Sequence, residues 1–445
     1  MNARLRKLAD QIGEAFWLLP AVLVLAGILG AELVLGIDRS GVLPESVRQS
    51  VWLYNGSATG ARTLLGAIVT ATIGVAGTIF SITIAALSLA AGQMGPRLLR
   101  NFTRDRGNQV TLGAFLGTFS YALIVLRSVR GAEEGGFTPH LALSLGLALA
   151  FVCVAMLVYF VGHMASRINL DTVVELVSDD MRGAVLALAT DQAPSAPPPE
   201  TFWRDAVPVV DARQGYLQQI DEAGLATWAA EQGTAIRLLV RRGDFVFPGA
   251  PIALMTRAVP EAEAAIRNAT ALGATRGGSG DAEHAARQLV EVAVRALSPG
   301  INDPHSAMSV LDRLGAVLCE LAGHHIPSGV HKHEGEIVLV VPSVTYGSLA
   351  AVMFHMIRQH ATGKTAVAIK MLDVLTAVLS CETDPERRAV LRQHADLVWT
   401  DAQRTVPNRS DLAEIAGRLE TFERVLAAGP IGFLPPEPAK NPGGR

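Results

Sequence analysis

The run from Thr63 to Pro96 constrains this chain more than any other stretch, because its 34 residues carry no formal charge. A helix needs roughly 20 apolar residues to cross a hydrocarbon core. The run therefore reads as a membrane span with about two or three turns to spare. Its small residues recur: Thr70, Gly74, Gly77, Ser81, Ala85, Ser88 and Gly92 follow one another at spacings of three or four. On a helix these positions form one stripe of small side chains. Such a stripe lets another backbone approach closely, so it is expected against protein or a narrow aqueous path rather than lipid.

Composition places the rest. Half of the residues are hydrophobic and only 18% are charged, below the roughly 25% of soluble domains. The apolar excess lies before residue 166. The fold class expected is an α-helical polytopic membrane protein with four transmembrane helices and a large cytoplasmic α+β C-terminal region. The spans are predicted at 15–36, along the stripe helix, at 108–128 and at 140–163. No cleavable signal peptide is evident, since the first apolar run is long and lacks a clear small-residue cleavage site. Trp17 suits an interface anchor. Glu32 reads as a headgroup-level carboxylate or as a charge at a pore mouth. Gly113 and Gly117 form a GxxxG pair that permits close helix crossing.

Orientation follows from the short loops. Arg4, Arg6, Lys7, the cluster Arg97, Arg100, Arg104 and Arg106, and Arg167 fall on one side of four spans. Arg39, Arg48, Arg62, Arg127 and Arg130 fall on the other. The positive-inside bias puts both termini in the cytoplasm of a bacterial inner membrane. The 97–106 cluster is a topology determinant touching anionic lipid, or a basic ring that concentrates anions at a pore mouth. A net charge of −3 gives no reason to expect nucleic acid as a partner.

The domains predicted are a membrane domain over 1–166, a juxtamembrane helix and Pro-rich linker over 167–200, and a small β-rich, barrel-like domain over 201–258. A mostly helical domain over 259–428 and a disordered tail over 429–445 complete the chain. Helices are expected near 346–361, 363–380, 384–404 and 408–427, and the stretch from Pro260 to Leu272 also reads as helical. SPGINDP reads as a helix–helix corner in which Asn302 and Asp303 bond their own backbone, or as a ligand site. Four histidines, His324, His325, His331 and His333, lie within ten residues. His-x-His on a strand suits a borderline metal, but no third ligand is convincingly spaced, so no metal and no cofactor is expected. Cys153, Cys319 and Cys381 make neither a disulfide framework nor a metal knuckle and read as three buried thiols in a reducing compartment.

Two resemblances add to this. The stretch RRGDFVFPGAPIALM, within 207–255, resembles the half-motif of the lipoyl and biotinyl carrier fold. A carrier needs an exposed lysine, and none occurs between Lys7 and Lys332, so the resemblance implies a spacer or assembly module. The segments TIGVAGTIFSITIAALSLAAGQMGPRLLRNFTRD, GYLQQID, RGDFVFPGAPIAL and RALSPGINDPHSAMSVLDRLG together resemble the bacterial family of predicted inner-membrane proteins called DUF2254. That resemblance covers nearly the whole chain and implies the four-span architecture, with no activity attached.

The leading functional expectation is a homo-oligomeric channel, leaning toward anions because of the arginines. Its walls would be Thr70, Gly74, Gly77, Ser81, Ser88 and Gln93, with Ile79 and Phe80 as an apolar constriction that gates by dewetting. The same stripe serves equally well to pack the helices of one subunit. The alternative is a non-conducting scaffold or sensor whose cytoplasmic part binds a partner or ligand. A secondary transporter is a weaker expectation, since no span carries a central carboxylate, lysine or histidine for coupling. No enzyme is expected: P-loop, GxSxG and HExxH patterns are all missing from the sequence. The partners expected are the lipid bilayer, further copies of this chain, and ions.

Overall fold

The computed structural model describes residues 16–40, 53–94, 105–131, 136–167, 170–274, 276 and 281–434. The chain forms two units, residues 7–173 and the region from Val174 onward.

Among its described residues, the first unit holds four helices long and apolar enough to cross a membrane: α1 (Leu18–Ser40), α2 (Ala58–Met94), α3 (Arg106–Ser128) and α4 (His140–Arg167). At about 1.5 Å per residue, α2 is roughly 55 Å long. The helices are organised around α3, which packs against each of the other three. Lipid is as apolar as leucine, so burial alone does not drive helices together in a bilayer, and close packing must. The GxxxG pair supplies it. A Cβ on Gly117 would lie 2.8 Å from the Leu23 carbonyl oxygen, and one on Gly113 would lie 2.5 Å from Leu23 Cδ1. From the other side, a Cβ on Gly27 would meet the Gly117 oxygen at 2.3 Å. Backbones of α1 and α3 thus touch where both sequences carry glycine.

Two apolar clusters fill the bundle. Leu35 of α1, Leu65 and Ile68 of α2, Tyr121 and Val125 of α3, and Leu143 of α4 form one. Ala76, Ile79 and Ala86 of α2 meet Phe115 of α3 and Phe160 and Met164 of α4 in the other. Two polar groups of the bundle are matched by backbone partners. The Tyr121 hydroxyl donates to the Ala142 carbonyl at 2.9 Å. The Asp38 carboxylate accepts from the backbone N–H groups of Leu141 and Ala142 at 3.2 and 3.0 Å. These are orphan donors at the positive end of α4, where a carboxylate is favoured. Glu32 pairs with Arg127 at 3.8 Å, a solvated contact of little energetic weight.

The second unit begins within α5 (Leu170–Leu186), which buries Val174, Val177, Met181 and Val185. Its Arg182 grips Glu320 with hydrogen bonds of 2.8 Å to both carboxylate oxygens. Strands β1 (Val207–Val210), β2 (Gly215–Ile220), β3 (Ile236–Leu238), β4 (Phe245–Val246), β5 (Pro251–Met255), β6 (Thr270–Gly273), β7 (Val330–His333) and β8 (Glu336–Val340) make two sheets. Helix α6 (Glu222–Glu231) follows β2, and α7 (Ala262–Ala269) precedes β6.

The antiparallel barrel expected over 201–258 does not form. One sheet has the order β1-β5-β3-β8-β7, and the other is β4-β2-β6. Within the first, β3 runs parallel to β8, pairing Ile236 with Leu339, so the segment completes its hydrogen bonding with strands about a hundred residues away. The helix expected over 260–272 is shorter, and its last residues form β6, with Leu272 opposite Leu217.

The remainder is helical: α8 (Ala282–Ala296), α9 (Pro304–Leu321), α10 (Tyr346–His360), α11 (Thr365–Cys381), α12 (Pro385–Thr405) and α13 (Arg409–Ala428). Starts are set by side-chain caps: Asp281, Asp303, Thr345, Asp384 and Asn408 each accept from a first-turn backbone N–H, as capping chemistry requires. A buried ion pair ties sheet to helices. Arg241 meets both oxygens of Glu283, at 2.9 and 2.7 Å. Burial would raise the Glu283 carboxyl, but hydrogen bonds from Ser348 and Arg241 and the charge of Arg287 hold it below its ordinary value.

Candidate functional site

The inward face of α2 consists of Ala61, Leu65, Ile68, Thr72, Ala76, Ile79, Thr83 and Ala86, all buried. Thr72 and Thr83 spend their hydroxyl hydrogens on the carbonyls of Ile68 and Ile79, at 2.7 and 2.8 Å. The stripe singled out in the sequence is offset from this face by two residues, or about 200° around the helix. It therefore points out of the subunit. Thr70, Gly74, Gly77, Ser81 and Ser88 are all exposed, and a Cβ on Gly74 or Gly77 would meet nothing within 4 Å. The stripe does not pack the four helices of one subunit; that work falls to the opposite face.

The two residues expected at the constriction part company. Phe80 is 51% exposed beside the stripe, whereas Ile79 is 2% exposed and belongs to the core of the bundle. Ile79 cannot gate a path along the stripe. Ile73 and Ile84 are exposed with Phe80, at spacings that place all three along one edge of the stripe. Ser81 Oγ donates to the Gly77 carbonyl at 2.9 Å, and Thr78 Oγ1 donates to that of Gly74 at 3.1 Å. Their hydrogens are used within the helix, and only lone pairs face outward.

The outer surfaces of the other spans differ in kind. Val22, Leu25, Leu29 and Leu33 are exposed on α1, and Phe151, Val154, Val158 and Val161 on α4. Those are bulky, branched or aromatic side chains, as suits acyl chains. The outward face of α2 alternates such residues with glycine and hydroxyls.

Gln93 lies in the last turn of α2, with its side chain outside the described residues, as are Arg97, Arg100 and Arg104 altogether. Arg106 is described, exposed in the first turn of α3. Immediately before it, sequence reasoning missed a polar site. Asp105 caps α3 through the Gly107 N–H at 2.9 Å and pairs with His163 of α4 at 2.7 Å, the carboxylate being 4% exposed. Tyr159 stacks on that imidazole, with ring centroids 5.3 Å apart. Asn108, in the same first turn, is buried, and neither of its side-chain polar atoms has a hydrogen-bond partner among the described residues. The available signal was an aspartate at the start of one span and a histidine near the end of the next.

In the second unit, the SPGINDP corner is built as a helix start. Asp303 accepts from the Ser306 N–H at 3.2 Å and from its hydroxyl. Asn302 takes a positive φ of 50° and accepts from Lys364 Nζ at 2.5 Å. The four clustered histidines do not converge. His331 contacts Glu222 at 3.1 Å and His324 contacts Asp191 at 3.5 Å. The β7–β8 ladder slips between His331 and Lys332, which breaks the simple alternation expected of His-x-His. The hydrogen bond from His331 lowers the Glu222 carboxyl from its ordinary value. A cavity bordered by Arg358, Lys364 and Asp401 has about 20 Å³ of room, enough for one water.

Comparison with known proteins places the chain. It is 32% identical, over 99% of its length and 85% of theirs, to the uncharacterized protein MT1328 of Mycobacterium tuberculosis (strain CDC 1551 / Oshkosh). The same figures hold for the uncharacterized proteins Mb1321c of Mycobacterium bovis and Rv1290c of Mycobacterium tuberculosis (strain H37Rv). No solved structure matches significantly. The family model described as "Predicted membrane protein (DUF2254)" matches residues 13–377. With four spans and a large mixed α/β region beyond them, this chain is a multi-pass inner-membrane protein belonging to the DUF2254 family.

Proposed function

We propose that the protein is a homo-oligomeric membrane channel in which the outward face of α2 lines the path. One observation carries this reading: the stripe of Thr70, Gly74, Gly77, Ser81 and Ser88 is turned away from its own subunit. In a lone subunit it would meet lipid, where glycine packs poorly and hydroxyl lone pairs find no donors. A ring of copies around a narrow aqueous axis removes both costs. Phe80 supplies the bulky apolar element beside the stripe that a dewetting gate uses. With the hydroxyl hydrogens of Thr78 and Ser81 committed to the helix, a preference for anions rests on the arginines of 97–106, which concentrate anions near the entrance.

Reconstitution into liposomes tests this. Phe80→Ala is expected to raise ion flux severalfold and Ser81→Leu to abolish it, both with assembly unchanged. Zero flux for several ions across a range of membrane potentials overturns the channel. The outward stripe then serves a non-conducting oligomer, with the soluble region as a scaffold or sensor.

A further inference from the structure

The stretch RRGDFVFPGAPIALM builds no barrel and carries no acceptor lysine, yet it holds aromatic side chains on the surface. In β4, Val246 is buried, while Phe245 and Phe247 on either side of it are 38% and 64% exposed. Tyr216 lies opposite Phe245 in the neighbouring strand β2. Tyr216 meets Phe245, and Phe245 meets Phe247, each edge to face with 5.1 Å between centroids. Val240 and Pro251 border a shallow concavity beside the two phenylalanines. A continuous exposed apolar surface of this kind marks a contact site.

The row of rings is held in place by its turn. The Ala250 N–H donates to the Phe247 carbonyl at 3.1 Å. Between them stand Pro248 and Gly249, the latter at a φ of 83°, the residues that a type II turn requires. The Gly249 N–H donates to the Asp211 carbonyl at 2.8 Å, which ties the turn to the end of β1. Phe247 and Pro248, both exposed, therefore stand at a fixed tip.

We propose that this tip is a membrane-docking surface, in which Phe245, Phe247 and Pro248 enter the headgroup region of the anionic cytoplasmic leaflet. Aromatic rings with a polar neighbour such as the Tyr216 hydroxyl suit that depth. Charge points to the same partner. Arg213, whose carboxylate partner Asp211 belongs to the residue that anchors the turn, is 27% exposed against 3% for that carboxylate. Arg241, next to Val240, is 26% exposed against 2% for its partner Glu283. The hairpin's own carboxylate, Asp244, folds back on the Arg241 N–H at 3.1 Å. The arginines thus face water more than the groups that neutralise them, and anionic headgroups attract such a surface. The last span ends at Met164 and β1 begins at Val207, so the intervening chain tethers the tip to the bilayer and keeps the effective lipid concentration high. A peptide is a poorer fit, because β4 is two residues long and offers little edge for an added strand. The proposal stands whether or not α2 lines a path.

The test uses the full-length protein in nanodiscs of phosphatidylglycerol and phosphatidylethanolamine. Cys153 is buried, but Cys319 is partly exposed and Cys381 exposed, in place of the three buried thiols expected, so all three are replaced by alanine. Pro248→Cys then carries a bimane probe and leaves both phenylalanines present. Nitroxide-labelled lipid should roughly halve its emission, while bimane on Asp396→Cys, at an exposed position of α12, keeps its emission. Phe245→Ser together with Phe247→Ser, both at exposed positions, should abolish the quenching at 248. Exchange of phosphatidylglycerol for phosphatidylcholine should weaken it. Quenching at 248 by aqueous iodide as strong as at 396, with none by nitroxide lipid, overturns the proposal. Shielding of 248 from both quenchers overturns it equally, since protein, either a second copy or a partner, then covers the tip.

Discussion

At position 394 an imidazole is 3% exposed, packed against the rings of Phe354 and His355 at centroid distances of 5.5 and 4.8 Å. Burial, then His355 and Arg358, push its pKa down to about 4. The His355 imidazole is lowered as well, by burial and by Arg358. His394 is therefore neutral in the folded protein at neutral pH, whereas an unfolded histidine takes up its proton near 6.5. The unfolded state binds more protons between those values, so the contribution to stability is full above about pH 6.5. It is lost progressively as pH falls toward about 4, to a total of roughly 3 kcal/mol. Hydrogen exchange in α10 and α12, corrected for intrinsic rates, should show weaker protection near pH 5 than near pH 7. His394→Leu should flatten most of that slope. Equal protection of the wild-type protein at both pH values would contradict the assignment.

Among the elements, α3 carries the membrane bundle and α2 presents its site. Gly117→Leu should force α1 and α3 apart, because a Cβ there already crowds the Leu23 carbonyl at 2.8 Å. Overpacking of this kind costs about 1–3 kcal/mol, read as a lower thermal aggregation temperature in detergent. Gly74→Leu, where a Cβ meets nothing, should leave that temperature unchanged in the dissociated subunit while altering assembly or flux. Equal loss from both changes would refute the inside–outside division of α2. The long elements were legible in the sequence because their apolar periodicity is local. The helix expected over 346–361 runs Tyr346–His360, and that over 384–404 runs Pro385–Thr405. The sheets were not legible, since the pairing of Ile236 with Leu339 leaves no mark in either segment alone. The spacing of the α2 stripe could be read directly, but its direction could not. Ile68, Thr72, Ala76, Ile79, Thr83 and Ala86 repeat just as regularly on the opposite side, and only contact with α3 and α4 decides between them. The pairing of Asp105 with His163 was hidden for the same reason as the sheets.

At the scale of the whole molecule, an even number of spans returns the chain to the side on which it started. The arginine distribution makes that side the cytoplasm, where the mixed α/β region lies. The membrane unit exposes lipid-compatible side chains on α1 and α4 and a small, hydroxyl-bearing stripe on α2, and the proposed oligomer follows from that contrast. Thiol accessibility in the assembled protein tests it most directly. In a background with Cys153, Cys319 and Cys381 replaced by alanine, Ser81→Cys and Ala76→Cys place thiols on the outward and inward faces of α2. In reconstituted liposomes, a membrane-impermeant thiol reagent should modify Ser81→Cys and block flux, while Ala76→Cys stays unmodified. Protection of Ser81→Cys from the aqueous reagent, with modification only by a lipid-soluble one, would mean that the stripe faces acyl chains and that the account of α2 as the wall of a path is wrong.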